Sequence, residues 1–284
     1  MTQSKVEESD RFAFGKNWQR YLVHAEEREF EIARNCLKEL LGQDDMSGLT
    51  FLDIGSGSGI HSLAAANLGA CVTSFDYDSD SVAATRKVKA AAGVSDARWR
   101  VMQGSILDGP FVESLGRFDV VYSWGVLHHT GAMWEAVERS CCLVAEGGSL
   151  VIALYRDCGL RTRAWWWVKR LYITGRVGRW LVLGAFVPAF WLGVVGNRLI
   201  RFQNPRRAFV EYRKQRGMSM FHDWIDWLGG YPYETASVGE VVSRLEARSF
   251  RAVKTVEAAG VGCSEFVFTR VATLESTIER ENRA

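Results

Sequence analysis

The sequence contains no CxxC pair and no zinc-ligand spacing; its six cysteines stand at 36, 71, 141, 142, 158 and 263. It also lacks an apolar signal core at its start, where Met1 to Arg11 is polar and charged. Together these absences point to a cytoplasmic chain with reduced, free thiols. The adjacent Cys141 and Cys142 fall in a helical pattern and read as packing residues. An excess of one charge is missing too. Lys and Arg number 35 against 33 acids, and the net +2 argues against a chain that binds nucleic acid over its whole surface. No repeat or low-complexity tract occurs. At 48% hydrophobic and 24% charged residues, the chain is not a disordered polymer, a collagen-like fibre or a many-span membrane protein. Tryptophan, by contrast, is plentiful, with 11 in 284 residues.

From Phe51 to Tyr155 short apolar runs alternate with helical stretches. Strands are expected at 51–54, 71–75, 98–103, 118–123 and 149–155, and helices at 60–68, 79–92 and 132–144. Ser and Asp crowd the start of the second helix, as caps do. Strict alternation of this kind predicts an α/β fold with a doubly wound, parallel sheet. The rhythm breaks after Tyr155 and resumes near Ser237, with a helix at 238–247 and strands at 251–256 and 265–269. Three parts follow: an N-terminal helical lid segment (1–50), a core (51–156 with 237–272), and a helical, basic, Trp-rich insertion (157–236). The polar tail 274–284 is expected to fray.

Asp53-Ile-Gly55-Ser-Gly57-Ser-Gly59 sits at a strand-to-helix turn, where glycines let the backbone approach a ligand and the helix offers free N–H groups. A dinucleotide fingerprint needs a further Gly or Ala at a position that is Ile60 or Ser62 here, so that pattern fails. The acid two residues before the first glycine suits a ligand carrying an ammonium group better than a pyrophosphate. A second acid, Asp76, ends the second strand and is placed to accept from both hydroxyls of a ribose. Tyr77, next to it, is placed to lie against an adenine face.

The run Asp53 to Gly59 with Asp76 resembles the class I S-adenosylmethionine (SAM) methyltransferases. Gln103-Gly-Ser105, Tyr122-Ser-Trp-Gly-Val-Leu-His-His129 and Leu143-Val-Ala-Glu-Gly-Gly-Ser-Leu150 extend the likeness in order and spacing. The wider resemblance is to ubiquinone-pathway O-methyltransferases. It implies a seven-stranded sheet with the last strand reversed and SAM as cofactor. The methionine end would rest on Asp53, Gly55, Gly57 and Gly59, the ribose on Asp76, and the adenine edge on Ser105 and Ile106. Ser105 departs from the acid that the family often has there. Ser56, His61, Tyr77 and Trp124 complete the expected cofactor contacts.

A hydroxyl acceptor needs a base where the fourth strand ends, and His128 and His129 stand there; a histidine takes up a proton near neutral pH. They are poor partners for a shared metal, since neighbouring positions diverge by about 100° on a helix, and no metal is expected. Packing or capping of the next helix is the plain alternative for both rings. The aromatic Phe12-Ala-Phe-Gly-Lys-Asn-Trp18 is placed to fold over the cofactor or to pack on the sheet. Trp18, His222, Tyr231 and Tyr233 are the expected acceptor contacts; the stretch Phe221 to Glu234, with Asp223, Asp226 and Glu234, reads equally as an acceptor wall or as an aromatic mini-core joining the insertion to the sheet.

Between Arg156 and Arg216 stand 14 Lys and Arg against two acids, a charge of +12 that leaves −10 on the rest of the chain. Seven of the 11 tryptophans lie in the insertion. Trp180 to Gly196 is 17 residues without a polar side chain. As a helix it would reach ~25 Å, short of a ~30 Å hydrocarbon core, and Pro188 and its glycines weaken a helix further. A blunt apolar hairpin flanked by arginines is therefore expected. It would either cap the sheet over a hydrophobic acceptor or dip into an anionic membrane surface through 160–216. The function expected is methyl transfer from SAM to a small hydrophobic or lipid-like acceptor, at oxygen. Transfer to nitrogen, sulfur or carbon, or SAM binding without turnover, are the alternatives.

Overall fold

Strands that are apolar on both faces need cover on both sides, and the sheet of this protein is built accordingly. The computed structural model describes Gly15, residues 27–216 and residues 220–271. Seven strands form one sheet: β1 (Thr50–Ile54), β2 (Cys71–Asp76), β3 (Trp99–Gln103), β4 (Phe118–Trp124), β5 (Val144–Tyr155), β6 (Phe250–Val256) and β7 (Cys263–Arg270). Their order is β3-β2-β1-β4-β5-β7-β6. The first five pair in parallel, and β7 runs antiparallel to both β5 and β6. The reversal at the centre between β1 and β4 opens a crevice at the carboxyl ends of those strands, where ligands of such sheets bind.

Three helices, α1 (Glu27–Leu41), α2 (Ile60–Asn67) and α3 (Ser79–Ala91), cover one face over a core that includes Leu37, Phe51, Leu63, Trp99 and Tyr122. On the other face α4 (Gly109–Leu115), α5 (Met133–Cys142) and α10 (Val238–Glu246) close over Leu52, Val121, Leu150 and Phe268. Local chemistry sets their starts. Asp78 accepts from the Asp80 N–H at 2.8 Å to cap α3, and Ser237 accepts from the Glu240 N–H at 3.2 Å to cap α10.

Three expectations need correction. α1 does not behave as a lid: Ala33, Leu37 and Leu40 are buried against the sheet, so this part of 1–50 belongs to the core. α4 had no counterpart among the expected helices; Asp108 caps it and Pro110 occupies its first turn. β5 begins at Val144 and not at Ser149. Gly147, at φ 71°, and Gly148 belong to a bulge within the strand, and a Cβ on Gly148 would lie 2.8 Å from the Asp119 carbonyl oxygen.

Among the described residues the insertion is four helices: α6 (Leu160–Ile173), α7 (Arg176–Ile200), α8 (Pro205–Arg216) and α9 (Met220–Gly229). α6, α7 and α9 share a small core of Tyr172, Val182 and Leu228 with Trp165, Phe186, Phe190 and Trp227 packed around it. Instead of a hairpin, α7 is one continuous helix of 25 residues with Pro188 inside it. A turn within this run would leave backbone N–H and C=O groups unpaired where no polar side chain can take them, whereas a helix pairs them internally. The insertion leaves and rejoins the sheet at one place: Arg156 and Ala236 form a bridge, and the Ala236 N–H donates to the Tyr155 carbonyl at 3.0 Å.

Candidate active site

β1 ends at Ile54, and the chain turns through residues 55–59 into α2. Gly55 adopts φ 75°, and a Cβ there would lie 2.4 Å from a Val126 methyl carbon, so only glycine fits. The Gly55 and Ser56 N–H groups donate to the Phe75 carbonyl at 2.8 and 3.2 Å. Ser56 Oγ lies 2.9 Å from Thr85 Oγ1 on α3, and the Gly59 N–H donates to the Ser56 carbonyl at 2.7 Å. The Gly57 N–H donates to Asp76 Oδ2 at 3.0 Å. The protein alone thus holds the turn in place.

Asp53 is only 3% exposed and accepts from Ser62 Oγ at 2.5 Å. Ser62 in turn meets Ser74 Oγ at 2.7 Å, and the Trp99 indole N–H donates to Ser74 at 2.7 Å. Burial pushes the Asp53 carboxyl up to about 7, against the Ser62 hydrogen bond and with the help of the Asp76 charge. Burial likewise pushes Asp76 up to about 6, although the Gly57 and Asp78 amides pull it down. Two acids held part-neutral suit a ligand that brings a positive charge and a pair of hydroxyls. A SAM molecule carries both, so these residues fit it: the amino-acid end near Asp53 and the turn, the ribose at Asp76.

Around Asp76 the neighbours are Tyr77, which is exposed, and the 103–106 loop. The Gly104 N–H donates to the Asp76 carbonyl at 3.0 Å, the Gln103 side chain donates to the Tyr77 carbonyl at 3.2 Å, and Ser105 Oγ accepts from the Leu107 N–H at 3.1 Å. Ile106 is buried beneath. Gly15 donates its N–H to Asp78 Oδ2 at 2.9 Å, two residues from Asp76; the rest of the run 12–18 lies outside the described residues. Trp18 lies outside the described residues, as does the side chain of His222 on α9.

Where β4 and β5 end, four segments assemble an aromatic box. The His128 and His129 rings lie 4.4 Å apart, and the Tyr155 ring lies 4.0 Å from His128 and 5.1 Å from Tyr233. Lys169 of α6 is fully buried among them, its Nζ 5.0 Å from the Tyr233 ring, 5.6 Å from Trp227 and 5.8 Å from Tyr155, and hydrogen-bonded to the Trp227 carbonyl. His129 Nδ1 lies 2.6 Å from the Pro232 carbonyl. Burial first, then the Lys169 charge, pushes His129 down to about 3. His128 is fully buried; burial, His129 and Lys169 hold it well below the usual range, with the Ala153 backbone pulling weakly the other way. Neither of its ring nitrogens makes a well-formed hydrogen bond among the described residues. Burial pushes the Tyr233 phenol up to about 12.

Other expected residues are placed differently. The Trp124 indole N–H donates to Glu265 on β7 at 3.4 Å, so its ring leans across β5, away from β1 and β2 where the cofactor contacts gather. His61 is half-buried with its ring 5.2 Å from Tyr122, on the face that α1 and α2 cover, and burial pushes it down to about 4. Tyr231 is half-buried beside Pro232. Glu234, expected in the acceptor wall, accepts from the Met133 N–H at 3.0 Å and so caps α5, whose own Ala132 has no side chain to do it. Tyr155 and Lys169 were not anticipated. Lys169 shares the helix stripe of Trp165 and Tyr172, and its place on a buried stripe was the available signal.

Residues 51–148 match the family described as a methyltransferase domain. The chain is similar to the ubiquinone biosynthesis O-methyltransferase of Methylobacterium sp. (strain 4-46), with 32% identity over 112 residues, covering 39% of this chain and 43% of that protein. It is also similar to the ribosomal protein L11 methyltransferase of Helicobacter hepaticus, at 39% over 87 residues, which is 30% of this chain and 26% of the other. The matched stretch thus spans less than half the length of these relatives. Among solved structures, magnesium protoporphyrin IX methyltransferase from Synechocystis PCC 6803 with bound SAH overlays with a TM-score of 0.54 at 13% identity, over 90% of this chain and 93% of that one. A SAM-dependent methyltransferase from Aquifex aeolicus gives 0.50 at 14% identity, over 90% and 98%. Residues 51–148 of this chain are therefore a class I S-adenosylmethionine-dependent methyltransferase domain, with SAM as its cofactor.

Proposed function

We propose that this protein transfers the methyl group of SAM to an oxygen of a small hydrophobic or lipid-like acceptor, at the cytoplasmic face of a membrane. The observation that carries the reading is the box of His128, His129, Tyr155 and Tyr233 around Lys169. It begins two residues after Val126, the residue that presses on Gly55. Bound SAM supplies a methyl group on a positively charged sulfur. Transfer needs in-line approach of an electron pair, so positioning supplies much of the rate, with effective molarities equivalent to roughly 7–11 kcal/mol in favourable cases.

With Nδ1 against the Pro232 carbonyl, that nitrogen carries the ring proton of His129, and Nε2 is the acceptor nitrogen. Held down at about 3, the ring is neutral at physiological pH. Its Nε2 would accept a hydrogen bond from an acceptor hydroxyl, orient that oxygen, and take the proton the oxygen sheds as it gains the methyl group. The Lys169 ammonium favours negative charge developing on that oxygen and disfavours an acceptor that arrives as an ammonium. That balance supports oxygen over nitrogen. The likeness to relatives named as ubiquinone biosynthesis O-methyltransferases supports it too.

The test is incubation with methyl-labelled SAM and fractions of a membrane lipid extract. The expected result is label in an organic-soluble ether or ester, with the rate falling at least about tenfold in His129→Ala. Label recovered on an amine or a thiol would overturn the oxygen assignment. SAM binding by calorimetry with no labelled product from any fraction would leave a SAM-binding protein without turnover.

A further inference from the structure

Helix α7 carries no charged or polar side chain from Trp180 to Gly196, on any side. A helix that is apolar all round is stable when buried, in a protein core or in a membrane. Yet only 6% of its most apolar 18 residues is buried within this protein. The inner stripe, Gly178, Val182, Phe186 and Phe190, faces the insertion's own core. On the outer face Trp180, Leu181 and Leu192 are 75%, 60% and 61% exposed. A groove of about 420 Å³ between α7, α8 and α9, lined by apolar side chains including Pro188, Trp191 and Phe221, continues that face.

Charge names the missing partner. Arg176 and Arg179 stand at the start of α7, Arg198 and Arg201 at its end, and Arg206 and Arg207 open α8. Of the two acids between Arg156 and Arg216, Glu211 is already paired with Arg198 at 2.6 Å. A partner that is hydrocarbon beneath and anionic at its surface satisfies both halves of this face. A second copy of the chain would bring like charges together.

We infer that α7 lies flat in the surface of an anionic bilayer, its outer face in the acyl boundary and its terminal arginines among the headgroups. The inference rests on the membrane setting proposed above, but not on the chemistry of the box. At about 37 Å the helix is long enough to cross a membrane, and the fold does not permit it to. Crossing would separate α6 from α9, whose Trp165 and Trp227 rings touch at 4.1 Å. It would also part the two ends of the insertion, which meet at Arg156 and Ala236. Among the described residues no second helix is long and apolar enough to bring the chain back.

Flotation with vesicles of phosphatidylcholine and phosphatidylglycerol tests this. Binding is expected to be about tenfold weaker on phosphatidylcholine alone, to fall with added salt, and to be released by alkaline carbonate. Leu181→Asp with Leu192→Asp should weaken binding by about tenfold or more while SAM affinity, read by calorimetry, is unchanged. No binding to anionic vesicles by a protein that still binds SAM would overturn the inference. Resistance to carbonate would show a spanning helix. A dimer that the double substitution splits, with vesicles ignored, would make the face a contact between copies. Vesicle binding without methyl transfer would sink the acceptor reading alone.

Discussion

Outside residues 156–216 the chain carries −10 and buries large apolar side chains on both faces of its sheet, whereas that segment carries +12 and leaves tryptophans and leucines in the open. The sheet core is complete in itself, since its strands are covered and its glycine turn is tied down by its own amides. The insertion's core is three buried residues with a partial shell, and its longest helix offers more apolar surface outward than inward. The two regions meet at the box of His128, Tyr155 and Lys169.

The largest expected effect separates the two regions. Leu228→Ala empties the centre of the insertion's core and should remove about 2–5 kcal/mol from that layer. Hydrogen exchange should then rise across 160–229 with SAM affinity held within about twofold; a parallel collapse of SAM affinity would show one cooperative unit. Next comes Gly55→Ala, which forces a left-handed conformation on alanine and drives its Cβ into Val126. Its expected effect on SAM binding is a loss of about 3 kcal/mol, read by calorimetry, with vesicle binding intact. Asp76→Ala removes the ribose acceptor and the brace on Gly57, and should weaken SAM by about 1–3 kcal/mol.

The smallest effect is a pH dependence. Asp53 is raised to about 7 by burial, so in the unliganded protein its contribution to stability is present at acid pH and lost as pH rises through 7. A cation bound beside it favours the ionised form. SAM affinity should therefore climb from pH 6 to 7.5 by at most about tenfold, with a proton released on binding, and Asp53→Asn should flatten the curve.

Much of the core was legible because its demands are local. The alternation of runs from Phe51 to Tyr155 marks the strands, and the Asp53–Gly59 turn needs its residues within one short stretch. Gly147 and Gly148 misled because a bulge and a loop ask for the same residue. Pro188 and its neighbouring glycines misled about α7 because propensity speaks of single residues, while the pairing of backbone groups in an apolar run decides the whole. Lys169 and Tyr155 lay hidden for another reason. The box draws on the turn after β4, the end of β5, α6 and the 231–234 loop, and no window of sequence contains them all.

The bridge between Arg156 and Ala236 carries a practical consequence. Because the chain departs and returns through hydrogen-bonded neighbours, the eighty or so residues between them form a cassette with one doorway onto the sheet, tied also to His129 and α5 through Pro232 and Glu234. A short turn can close that doorway without disturbing the strands behind it.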